Sequence, residues 1–117
     1  MPETVISGEI AFDDGSPHFE GATVRVILED VTRADAAARE VARTTIADYS
    51  RATGDPPLAF SLRVDDLDPV RRYEVRVHVD RASSGRISIG DQVTTESHPV
   101  ATRGYPNHVS VRVRRVV

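Results

Sequence analysis

Four histidines, His18, His78, His98 and His108, are the residues of this chain whose chemistry best suits metal binding or proton transfer. Their spacing argues against both, because none falls within the short separations that pair ligands on one element. His78 shares a polar face with Glu74 and Arg76, His18 sits beside a turn and His98 precedes Pro99, so all four read as scattered surface residues. Asp65, Asp66 and Asp68 offer three carboxylates to a hard cation, and Asp13 with Asp14 offers two more. A calcium loop needs more oxygen ligands in a defined order, so both runs read as solvated turns. No metal ligand and no cofactor site is expected.

Nucleophilic catalysis needs a serine or threonine with a positioned base, and no GxSxG elbow or comparable strained turn is present. A glycosidase carboxylate pair would also want aromatic platforms, and the chain has no Trp and 3 Tyr. With no cysteine, disulfides, thiolate zinc sites and cysteine nucleophiles are excluded. No catalytic residue is assigned.

The segment Glu29 to Asp35, reading EDVTRAD, is the most promising functional surface, since it leaves a well-patterned strand with Asp30, Arg33 and Asp35 on short backbone. Loops held by a rigid sheet are common places for binding. The competing reading is structural: Asp30 or Asp35 accepts backbone hydrogen bonds, and Arg33 pairs with one of them. Arg103 has the same double reading, beside a Gly104 expected to supply a positive φ.

Strands must position these groups. Val75, Val77 and Val79 alternate with Glu74, Arg76 and His78, and the same period recurs around Val24 to Leu28, Phe60 to Val64 and Val109 to Val113. A first strand is expected from Val5 to Phe12, ending at a turn through Asp13, Asp14 and Gly15, and a second from Ala22 to Val31. A loop or helical turn near Ala34 to Ala38 then precedes a strand from Arg39 to Ala47, where helix formers compete with Thr44, Thr45 and Ile46. After the loop YSRATGDPP come strands from Leu58 to Val64 and from Arg72 to Asp80. The latter is expected to pair with Arg86 to Ile89 across ASSG. A short strand from Val93 to Thr95, continuing towards Val100, and a last strand from His108 to Val116 complete the set. The expected fold is all-β: a single-domain antiparallel β-sandwich of seven or eight strands, immunoglobulin-like or transthyretin-like, spanning residues 1–117.

A chain of 117 residues supports one core without staples. Net charge is −3, against general nucleic-acid binding, and all 15 cationic residues are Arg. Outward Arg25, Arg76, Arg112 and Arg114 would form a cationic stripe on neighbouring strands, but Glu29, Glu74 and Asp80 should cancel much of it. No apolar run is long enough to span a bilayer, and the opening MPETVISGEI lacks the pattern of a secretory signal, so direct membrane insertion is not expected and a cytoplasmic location is.

The stretches VRVILEDVTRADA (Val24 to Ala36), PPLAFSLRVD (Pro56 to Asp65), RRYEVRVHVD (Arg71 to Asp80) and HPVATRGYPNHVSVRV (His98 to Val113) resemble the YbaY/YscW-type family, known mainly as bacterial lipoproteins and including type III secretion pilotins. The resemblance covers about Val5 to Val113, and LEDVTRADA and the TRG before a proline carry its distinctive part. It implies a small β-sandwich without catalytic activity whose better understood members escort or stabilise a membrane-associated partner. The sequence as it stands shows neither the amino-terminal signal nor the lipid-attachment cysteine usual in that family, so outer-membrane localisation is not expected from it.

Three functions are weighed. A non-catalytic protein-binding or chaperone-like module ranks first, with a protein partner at a sheet edge or groove. A self-associating module ranks second, forming a weak homodimer with Ile27, which faces the polar side of its strand, at the interface. A small-molecule or metal-dependent enzyme ranks last.

Overall fold

The computed structural model describes residues 3–12 and 18–117; the turn expected at Asp13, Asp14 and Gly15 lies outside them. The strands are β1 (Glu3–Phe12), β2 (Phe19–Asp30), β3 (Arg39–Arg51), β4 (Leu58–Asp65), β5 (Tyr73–Asp80), β6 (Gln92–Thr94), β7 (Pro99–Val100) and β8 (His108–Arg115). The alternating apolar residues turn inward as their period requires. Ile6 and Ile10, Val24, Val26 and Leu28, Phe60, Leu62 and Val64, Val75, Val77 and Val79, and Val111 and Val113 are buried in one core.

The strands form one continuous sheet in the order β3-β2-β5-β6-β8-β1-β4, with β7 pairing β5 beside this path. The two end strands, β3 and β4, come into contact, so the sheet curls into a nearly closed barrel. The all-β class holds, whereas a sandwich of immunoglobulin-like or transthyretin-like topology is not confirmed. Nor is the sheet wholly antiparallel, because β1 runs parallel to β8, with Gly8 opposite Val109. A Cβ on Gly8 would fall 1.8 Å from the Val109 carbonyl oxygen, so only glycine permits this approach.

Three local expectations are corrected. β3 runs on to Arg51, beyond Ala47, and its Tyr49 ring packs 6.0 Å from Phe12 and 5.9 Å from Phe19, burying aromatic surface that holds the extension in the sheet. Arg86 to Ile89 forms no strand. Asp80 and Asp91 capture the amides of Ser84, Gly85 and Ser88, offering that backbone an alternative to ladder pairing, and β5 pairs with Gln92 and Val93 instead. The stretch continuing towards Val100 is broken into β6 and β7.

Ile27 is also corrected. Its register places it between Arg43 on β3 and Arg76 on β5, on the outer face as expected, yet it is only 3% exposed. The aliphatic stems of arginines on neighbouring strands can cover such a side chain, and a residue buried in the monomer cannot form a dimer contact. The cationic stripe is neutralised as expected on β2 and β5, where Arg25 meets Asp80 at 2.8 Å and Arg76 meets Glu29 at 3.1 Å.

Candidate protein-binding site

Asp30 ends β2 opposite Tyr73, the first residue of β5. Its Oδ1 accepts the Thr32 amide at 3.0 Å and the Thr32 hydroxyl, while its Oδ2 accepts from Arg71 at 2.9 Å, with Arg39 at 3.5 Å. The Thr32 hydroxyl, then its amide and Arg71, outweigh the opposing effect of burial and hold the Asp30 carboxyl below its usual range. Thr32 Oγ1 accepts the Arg72 amide, and the Val31 amide donates to the Arg72 carbonyl at 2.9 Å. The EDVTRAD segment is thereby tied to the connection between β4 and β5.

That connection is pinned from within and from the other side. Asp68 accepts the Val70 amide at 3.1 Å, and the Tyr73 hydroxyl accepts the Asp68 amide at 3.0 Å. From the β7–β8 loop, the Thr102 hydroxyl donates to the Arg71 carbonyl and Arg103 donates to the Val70 carbonyl at 3.1 Å. The turn holding them has positive φ at Ala101 (71°), Arg103 (59°) and Gly104 (90°), as expected for Gly104, while the two non-glycine residues carry backbone strain of the kind that clusters at binding sites.

Between the start of β5, the β6–β7 stretch and the β7–β8 loop lies a concavity of about 260 Å³, whose lining includes Arg72, Glu74, Ser97, Val100, Arg103 and Tyr105. Tyr105 and nearby Val70 are exposed, and Ser97 donates to Glu74, occupying that carboxylate. A lining that holds two arginines, a valine and an exposed tyrosine has the groups to grip a carboxylate and seat an apolar side chain of a peptide.

Of the four residues expected here, the structure brings two together: Asp30 and Arg103 both fasten the Val70–Arg71 backbone and side chains. Arg33 and Asp35 stand apart, 3.9 Å from each other and 75% and 84% exposed. Asp30 takes the structural role, with Arg71 as its partner and not Arg33. Sequence reasoning missed Arg71, Arg72 and Tyr105; the doubled arginine just before a strand was the available signal.

The histidines need a second correction, since His78 and His98 are buried. His78 Nε2 donates to Asp91 Oδ2 at 2.8 Å, and His78, Asp80 and Asp91 present ligand atoms within 4.8 Å of one another. Every carboxylate oxygen of that trio already accepts an N–H. Asp80 takes Ser84, Gly85 and the Arg25 guanidinium, and Asp91 takes Arg81, Ser88 and His78. The Arg25 guanidinium already holds one Asp80 oxygen at 2.8 Å, so the trio has the chemistry of a loop clamp. The signal for it was an Asp just ahead of Ser-Ser-Gly, a run of turn residues whose amides a nearby carboxylate can accept.

Barrel and concavity together make a small all-β domain with a loop-framed candidate site. The chain belongs to the YscW family, described as type III secretion system lipoprotein chaperones, whose family model matches residues 1–113. Among solved structures it is similar to an alternative pilotin from the type II secretion system of Vibrio cholerae, at 23% identity and a TM-score of 0.73, covering 97% of this chain and 99% of that one. That likeness concerns the fold. No curated protein matches the chain.

Proposed function

We propose that this protein is a non-catalytic chaperone that holds a segment of a membrane-embedded secretion-system component in the concavity lined by Arg72, Arg103 and Tyr105. Membership of a family of secretion-system chaperones supports the class of partner. The observation that carries the location is that the β4–β5 connection and the β7–β8 loop, which both line the concavity, are tied to each other through Thr102 and Arg103, with Asp30 and Thr32 holding Arg71 and Arg72 in addition, so little ordering remains for the partner to drive. The guanidinium groups of Arg72 and Arg103 suit an acidic group on the bound segment, and Tyr105 suits an apolar anchor beside it.

The test is co-purification with tagged membrane components of the secretion machinery of the native organism. Arg72→Glu combined with Tyr105→Ala should lose a stoichiometric component that the unaltered protein retains, with little change in melting temperature, because Arg72 joins the loop network through its backbone and not its side chain. Equal recovery by both proteins would move the partner site elsewhere.

A further inference from the structure

At the opposite end of β5 from the concavity, residues 81–90 leave the barrel and return at Asp91. The loop is held from beneath. Asp80 accepts the Ser84 amide at 3.1 Å and the Gly85 amide at 2.8 Å, and Asp91 accepts the Arg81 and Ser88 amides at 3.0 Å each. Both carboxylates are almost inaccessible, at 0% and 2% exposure. The clamp sets what faces outward: residues 82–89 are all exposed, Ile87 by 57% and Ile89 by 82%.

The charges of this loop have one sign. Between the two buried aspartates the chain carries Arg81 and Arg86 and no acidic residue, and exposed Arg115 of β8 stands opposite Gln92 beside the loop's end. Among the described residues, Glu20, Asp48 and Glu96 are the exposed acids towards this end of the neighbouring strands, and Glu96 lies 3.4 Å from Arg114. In a chain of net charge −3 this is a local cationic patch around two exposed aliphatic side chains. Apolar side chains flanked by arginine meet the needs of the boundary between headgroups and acyl chains, where the aliphatic part leaves water and the guanidinium pairs with phosphate.

We propose that the Arg81–Gly90 loop seats on an anionic lipid bilayer, with Ile87 and Ile89 entering the headgroup boundary and Arg86 pairing with lipid phosphates. The loop is a surface contact and spans nothing. Because it lies at the other end of β5, docking through it points the Arg72–Arg103–Tyr105 concavity away from that surface. The inference stands independently of what the concavity binds.

The chain has no Trp, so the full-length variant Ile89→Trp carries a single reporter. With vesicles of mixed phosphatidylcholine and phosphatidylglycerol its emission should shift to the blue, the shift should shrink at high salt, and phosphatidylcholine alone should give none. Val70→Trp, at the concavity end, should not shift. In sedimentation with the mixed vesicles, Ile87→Ser combined with Ile89→Ser should bind about tenfold more weakly or worse, as should Arg86→Glu, with melting temperatures unchanged because these side chains are exposed. Absence of a shift with the anionic vesicles, or unweakened sedimentation of the double variant, would overturn the proposal. So would a protein held through Ile87 and Ile89 by a molecule that binds no vesicles.

Discussion

Arg71 donates to the buried carboxylate of Asp30 at 2.9 Å, joining the end of β2 to the connection that carries Val70 and receives Arg103. Asp30→Ala removes the acceptor for Thr32 and Arg71 together and frees both loops. It should lower the melting temperature by several degrees and speed amide exchange over residues 67–72. Arg33→Ala, outside the network, should do neither.

Acid should weaken the fold through two carboxylates. Burial pushes the Asp80 carboxyl up, but Arg25 and the Gly85 and Ser84 amides outweigh it, so its pKa lies below 3.8, as does that of Asp30. A depressed folded-state pKa contributes stability that is present above the unfolded value and lost as pH falls through the folded one. Urea unfolding should therefore show this contribution intact above about pH 4 and declining below it. Asp80→Asn should be less stable at neutral pH with a shallower acid decline; a decline parallel to that of the unaltered protein would remove Asp80 from the account.

Burial should override surface pattern at Ile27. Val77→Asp places an unpaired charge in the core and should cost about 4 kcal/mol or more, enough to prevent folding. Ile27→Asp should also destabilise measurably, despite facing the polar side of its strand. A native melting temperature for Ile27→Asp would return that residue to the surface.

The parallel pair of β1 and β8 should depend on Gly8. Even Ala there forces the strands apart, since its Cβ has a carbonyl oxygen at 1.8 Å, and should cost about 3 kcal/mol or more in urea unfolding.

The strands were legible because each buries one face, and the two-residue period of Val75, Val77 and Val79 records that directly. What closed the barrel was not, because strand order rests on contacts such as Gly8 against Val109, 101 residues apart in sequence. The buried state of Ile27 and His78 was hidden for the same reason: both sit at polar positions of their strands and face groups from elsewhere, Arg43 and Arg76 on the strands beside Ile27 and Asp91 with its loop at His78. At the binding site, Asp30 and Arg103 could be chosen as polar residues on loops. Their meeting through Val70 and Arg71 could not be foreseen, since it depends on where three connections converge.

Photo-cross-linking at Tyr105 in cells of the native organism tests the central claim most directly, with a benzophenone amino acid placed at Tyr105 in one variant and at Val5, half-exposed on β1, in another. The concavity account predicts that the Tyr105 probe captures one membrane component of a secretion system and the Val5 probe does not. Capture of that component from Val5 alone, or of nothing from Tyr105, would contradict it.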